Sequence, residues 1–192
     1  MDLQTGDIIL TAKNKLLIDF MDYFQNDPVI WSHVLIVKDE YWSWEAYVLL
    51  RETSTYRKLE KANAWKILRR KDITNSHQQT MLKTAPKLLG HPYGVSRIIL
   101  QIFDHIFKTN IFTKYYNGKY AQVCSSYAAW IYWVSMGIKF NNVGWQSCDP
   151  DDIEDDYISN PDNWEVVGEY DPRTLDEKRR ILEWRNSKKL MK

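Results

Sequence analysis

Short apolar runs, separated by polar or turn-forming residues, mark out a set of strands along the chain. The runs are rich in β-branched side chains, and their length suits strands better than helices. A polar segment, residues 38–42, separates two of them, so we predict an antiparallel hairpin at that point. The predicted strands are residues 8–10, 31–37, 43–50, 64–69 and 164–167.

Apolar residues at helical spacing predict four helices. Residues 15–25 and 95–108 each carry a single apolar face, whereas residues 124–136 are apolar almost all round and should form a buried helix ending at Gly137. A helix over 76–89 is disturbed by Pro86.

The chain changes character near its end. After Pro172, Thr174 and Glu177 form a capping-box pattern, and a charged helix rich in Lys and Arg follows. We therefore divide the chain into a main domain, residues 1–170, and a charged helical tail, residues 171–192. The tail's simplest interpretation is a solvated helix, and the alternative is docking to a partner or a membrane surface.

Composition narrows the function classes. Hydrophobic residues make up 44% of the 192 positions, which is enough for a real core. The net charge of +1 gives no electrostatic case for nucleic-acid binding. Two cysteines make no disulfide framework, and we see neither an export signal nor a run of about 18 apolar residues. These features predict a cytoplasmic protein without a transmembrane segment.

Cys124 is the candidate nucleophile. It stands at the start of the predicted buried helix, where unpaired backbone N–H groups and the helix dipole stabilise a thiolate. The preceding residues, 121–123, contain none of the preferred capping side chains, so a thiolate could occupy the position that a cap would have filled. The alternative is a plain buried thiol in an apolar helix.

His33 and Glu45 are the candidate base and acid. A histidine inside an apolar strand is more often a core residue bonded to the backbone. If the hairpin turn centres on Asp39, however, His33 lies directly opposite Glu45. A carboxylate there would fix the tautomer of the imidazole and stabilise its charged form. We therefore predict that the two side chains touch across neighbouring strands.

The remaining chemistry-bearing residues give weaker signals. Cys148 lies in a loop with no nearby base, so we expect it to be non-catalytic. The four His and two Cys have no zinc-ligand spacing, and the seven Gly form no phosphate-binding loop. We therefore expect neither a metal nor another cofactor.

The order of these pieces resembles a known family. The segments are Gly6-Asp7-Ile8-Ile9-Leu10, Ser32-His33-Val34, Glu45-Ala46, Tyr93 after Gly90, Cys124-Ser125, and a late Pro150-Asp151-Asp152-Ile153. They resemble, in order, the circularly permuted NlpC-type papain-like hydrolases. These are the YiiX/YebB-like amidases, relatives of the lecithin:retinol acyltransferase group. Papain itself has its cysteine before its histidine.

The resemblance implies a small α+β fold in which an antiparallel sheet packs against helices and the cysteine begins a helix. It implies a triad of Cys124, His33 and Glu45 acting on an amide through a thioester acyl-enzyme, with cell-wall-type peptides as substrates. Tyr93, Trp31 and Ser125 are the candidate substrate-binding residues.

Two other functions stay open at this point. The acyltransferase kinship and the 14% aromatic content suggest a lipid acyl hydrolase or acyltransferase. The family usually has an acidic residue where this chain has Ser126, which suggests a binding module that lost turnover. The expected partner is a peptide-like or acyl small molecule.

Overall fold

The computed structural model describes residues 1–12, 31–47, 49–91 and 124–172. In these ranges six strands form one antiparallel sheet, in the order β4-β3-β2-β1-β5-β6. The strands are β1 (Ile8–Ala12), β2 (His33–Val37), β3 (Trp42–Ala46), β4 (Leu50–Ser54), β5 (Ala64–Arg70) and β6 (Trp164–Tyr170).

Helices accompany the sheet, so the mixed α+β class predicted from the sequence is confirmed. The α-helices of the described ranges are α1 (Thr55–Glu60), α2 (Asn75–Thr84), α3 (Cys124–Met136) and α4 (Pro150–Ser159). Short 3₁₀ segments are Ala85–Leu88, Phe140–Asn142 and Pro161–Asn163. None of the helices in the described part of the chain has the length and apolarity that crossing a membrane requires.

Apolar side chains cover both faces of the central strands. Side chains alternate along β2, so Val34 and Ile36 join the larger core cluster, with Tyr127 and Ile131 of α3. Leu35 and Val37 point the other way and join a smaller cluster that includes Leu59 of α1. Burial on both faces explains why β1 and β2 are almost entirely apolar, with only Thr11 and His33 as polar members.

Two tyrosines attach α3 to the rest of the core. The hydroxyl of Tyr127 donates to the carbonyl of Ala85 at 2.9 Å. The hydroxyl of Tyr132 donates to the carbonyl of Gly6, which precedes β1. Both side chains are almost fully buried. These bonds orient α3 against the sheet and thereby position its first described residue, Cys124.

The predicted strand over 43–50 is wrong in its second half. The chain turns after Ala46, where the amide of Tyr47 donates to the carbonyl of Leu49 at 3.2 Å, and β4 then returns beside β3. β4 escaped prediction because an edge strand needs few apolar side chains, and α1 is only six residues long. Both elements prove to carry residues of the candidate site.

Helix boundaries follow local chemistry. α2 stops at Thr84 and continues as a 3₁₀ segment through Pro86, while Gly137 ends α3 with a φ of +72°. The acidic stretch after residue 149 is the start of α4, where the side chains of Asp149 and Asp152 form a capping box.

One packing expectation for α3 is wrong in part. Trp133 is 43% and Val134 is 41% exposed, so the second half of this helix is not buried all round. The helices predicted over 15–25 and 95–108, and the tail helix after Pro172, lie outside the described residues.

Candidate active site

The β2–β3 hairpin brings His33 and Glu45 together, with a register that differs from the predicted one. Leu35, rather than His33, lies opposite Glu45. The turn is centred one residue later than predicted because the carboxylate of Asp39 accepts from the amides of Tyr41 and Trp42, both at 2.9 Å. The register error is two residues, so His33 and Glu45 still share a face. Their Nε2 and Oε2 atoms are 3.0 Å apart.

Glu45 is a fully buried carboxylate with three cationic or cationisable neighbours. Its Oε1 accepts from Nε of Arg51 at 2.9 Å and lies 2.9 Å from Nη2 of the same side chain. Its Oε2 is shared by His33 and by Nζ of Lys58, which is 2.7 Å away. Burial alone would raise the pKa of Glu45, but the hydrogen bonds and charges of His33 and Lys58 lower it to about 2. The carboxylate is therefore ionised throughout the neutral range.

Cys124, at the start of α3, forms a hydrogen bond with His33. In the described residues α3 begins at Cys124, which is 6% exposed. Burial disfavours the thiolate, but the charge and hydrogen bond of His33 favour it, as do the backbone N–H groups of Val34 and Ser125. Together these interactions hold the pKa of the Cys124 thiol below its ordinary value.

The pKa of the His33 imidazole is shifted upward, in contrast to that of the thiol. Burial disfavours its charged form, but the charge of Cys124 and hydrogen bonds with Cys124 and Glu45 raise the pKa of His33 to about 9. Nε2 is directed to Glu45, so Nδ1 is the ring nitrogen that remains for the thiol. The arrangement favours a thiolate–imidazolium pair, which is a nucleophile beside an acid–base group.

The three candidate substrate-binding residues are not equivalent. Trp31 is fully buried in the larger core cluster, with Nζ of Lys66 5.6 Å from its ring centre, so the structure corrects its placement on a substrate surface. The hydroxyl of Ser125 donates to the carbonyl of Cys148 at 2.8 Å and thus belongs to the fold. Tyr93 lies outside the described residues.

Tyr47, Arg51 and Lys58 are site residues that the sequence reading missed. Arg51 of β4 lies directly opposite Glu45 of β3. The ring of Tyr47 meets the His33 ring edge-on, with 6.3 Å between centroids. A sequence signal for the turn after Ala46 would have paired Arg51 with Glu45.

Cys148 has a different environment from Cys124. It is 3% exposed, and its Sγ lies 3.5 Å from the carbonyl of Asp149. Burial, together with the negative charges of Asp152 and Asp149, raises the pKa of its thiol. Within the described ranges, no group of three or more His, Cys, Asp or Glu residues could hold a metal ion.

A comparison with solved structures shows that the fold is shared. The crystal structure of metalloprotein yiiX from Escherichia coli O157:H7 aligns with 90% of this chain and with 100% of its own, at a TM-score of 0.58 and 16% sequence identity. The chain matches no protein-family model and no curated protein. At 16% sequence identity the likeness shows a shared YiiX-like fold and nothing about activity. The chemistry that this site can perform has to be argued from the residues described above.

Proposed function

We propose that this chain is a cysteine hydrolase of the permuted papain-like, NlpC type, with Cys124 as nucleophile, His33 as acid–base group and Glu45 as orienting acid. The observation that carries the proposal is the arrangement of the three side chains: Cys124, at the start of α3 in the described residues, hydrogen-bonds with His33, and Nε2 of His33 lies 3.0 Å from the buried carboxylate of Glu45. The YiiX-like fold supports the proposal, as does the order of the three residues along the chain, with His33 first, Glu45 second and Cys124 last.

The first half-reaction forms a thioester. The Cys124 thiolate attacks the carbonyl carbon of an amide, and the backbone N–H of Cys124 donates to the oxygen that becomes negative. Collapse of this tetrahedral adduct breaks the carbon–nitrogen bond. The leaving amine takes the proton held by His33, so the imidazole becomes neutral as the acyl-enzyme forms.

The second half-reaction returns the enzyme to its starting state. Neutral His33 takes a proton from water, the resulting hydroxide attacks the thioester, and the thiolate of Cys124 leaves. The products are a carboxylic acid and the original thiolate–imidazolium pair. Glu45 keeps Nε2 engaged in both steps, which leaves Nδ1 directed at the reacting atoms.

Peptide amides of cell-wall type are the proposed substrates. Lipid acyl hydrolysis or transfer is the second candidate, and exposed aromatic side chains on and after β3 favour it: Trp42 is 46% and Tyr47 is 51% exposed. A binding module without turnover receives less support, since such a module has no need of a thiol with a lowered pKa.

Acyl-enzyme trapping tests the proposal. An activated peptide ester should add one acyl mass to the wild-type protein and to Cys148→Ala, but none to Cys124→Ala. Cys148 is the matched control because it is the chain's other cysteine and is also buried. Equal labelling of the two variants would overturn the assignment. A panel of peptide amides against lipid esters then separates the two substrate classes.

A further inference from the structure

A basic and aromatic cluster lies beside His33, the candidate acid–base group. The Tyr47 ring has Cζ of Arg51 5.2 Å and Nζ of Lys58 5.1 Å from its centre, and it meets the His33 ring as well. Tyr47 follows β3, Arg51 is in β4, and Lys58 is in α1. Three elements therefore place this cluster next to the imidazole.

Two cationic side chains of the cluster share one carboxylate among the described residues. Arg51 and Lys58 both bind this one carboxylate. Of these two cations, Arg51 is the more exposed, at 49% against 16% for Lys58, so its guanidinium presents positive charge to solvent close to the Tyr47 ring. A positive charge close to a cleft raises the local concentration of anions.

The guanidinium of Arg51 is accessible to an anionic ligand. Its side chain is 49% exposed, and its contacts with Glu45 use Nε and Nη2. Within the part of the chain that the structure describes, no contact engages Nη1, and this planar group binds carboxylate and phosphate oxygens well. Tyr47, at 51% exposure, contributes an accessible ring beside it.

We propose that Tyr47 and Arg51, supported by the charge of Lys58, form a subsite for an anionic group of the substrate, either a carboxylate or a phosphate. The inference rests on the proposed function and specifies its substrate class, an acyl compound that carries a negative charge near the scissile bond. A peptide carboxylate and a lipid phosphate share this chemistry.

Two alkylating reagents test the subsite at the thiol itself. Iodoacetate and iodoacetamide both transfer a CH₂ group to the thiolate and release iodide, but only the first carries a negative charge. We expect Arg51→Gln to lower the ratio of the iodoacetate rate to the iodoacetamide rate by about three- to fivefold, the effect of a solvent-exposed charge pair. Arg51→Lys, which keeps the charge, should lower it less.

Arg57→Gln is the matched control. It removes the same charge from an exposed position one residue before Lys58 in α1. Because all variants keep His33, the ratio isolates the charge of Arg51 from that of the imidazolium. An unchanged ratio in Arg51→Gln, or an equal fall in Arg57→Gln, would overturn the subsite.

A binding measurement keeps the test independent of thiol reactivity. In Cys124→Ala, acetate and inorganic phosphate should each shift the NMR signals of the Tyr47 ring and the Arg51 Nε–H. The anion that shifts them at lower concentration indicates the carboxylate or the phosphate source. No shift with either anion contradicts the subsite, whereas a Cys124 that reacts with neither alkylating reagent at neutral pH contradicts the proposed hydrolase.

Discussion

The start of α3 and the segment before α4 each contain a buried cysteine, and the two thiols differ in chemistry. Cys124 and Cys148 are 6% and 3% exposed, and the hydroxyl of Ser125 connects the two segments. Burial disfavours the thiolate at both positions. An imidazole reverses this effect at Cys124, whereas acidic neighbours add to it at Cys148. The partner of a buried thiol, rather than its burial, decides whether it can act as a nucleophile.

Two buried carboxylates, one just before β1 and one in β3, show a similar contrast in their partners. Asp7 is 1% exposed and is held by Nε and Nη2 of Arg69, each at 2.8 Å, and by the amide of Gln4 at 2.9 Å. Glu45 has a similar arginine partner but also contacts His33. We interpret the Asp7 pair as structural, and Glu45 as the carboxylate that influences a proton-transferring group.

The largest expected effect is the difference between the two thiols. At pH 7, Cys148→Ala, which keeps Cys124, should react with iodoacetamide at least about 100-fold faster than Cys124→Ala, which keeps Cys148. The physical reason is the difference in thiolate fraction. Alkylation followed by intact mass measures both rates, and circular dichroism verifies that both variants are folded. Similar rates would remove the distinction between the two segments.

Removing the imidazole should make the Cys124 environment resemble that of Cys148. In His33→Gln the thiol loses its largest stabilising charge, so its pKa rises. At pH 6 the alkylation rate of Cys124 should fall by about 50-fold, with a smaller loss at pH 9. A pH–rate profile in a Cys148→Ala background measures the change. A profile that coincides with that of the parent would mean that the thiolate does not depend on His33.

The sheet centre was predictable because its side chains are buried on both faces. β1 and β2 carry apolar residues at four of their five positions each, and such short apolar runs are typical of buried strands. The contact between His33 and Glu45 was predictable for another reason: a two-residue error in register preserves the sheet face. An error of one residue would have separated them.

The cations around Glu45 were not predictable from the same patterns. Arg51 is in an edge strand with mostly polar side chains, and Lys58 is in a six-residue helix. Tertiary contacts stabilise such elements more than local propensity does. Cys124 and His33 are far apart in the chain, so the resemblance to a family, rather than any local pattern, suggested that they would meet.

Acid sensitivity should distinguish Glu45 from an ordinary surface carboxylate. Its pKa is about 2 in the folded protein, below the ordinary value of the unfolded chain. The stabilisation is therefore complete above the unfolded pKa and is lost as the pH falls toward 2 and below. Glu45→Gln should remove about 2 kcal/mol from the pH dependence of the free energy of unfolding between pH 5 and 2. Urea unfolding at several pH values measures it, and parallel curves for the two proteins would contradict the ion cluster.

The smallest expected effect concerns the bond that joins the two cysteine segments. Ser125→Ala removes the buried hydroxyl that donates to the carbonyl of Cys148. It should lower the free energy of unfolding by about 1 kcal/mol, the usual contribution of one hydrogen bond. The thiol chemistry should be unaffected, because it is the backbone N–H of Ser125 that stabilises the Cys124 thiolate, and alanine keeps this group. Denaturant unfolding and iodoacetamide kinetics test the two parts separately. If the alkylation rate of Cys124 fell more than about twofold, the hydroxyl would be acting on the nucleophile as well as on the fold.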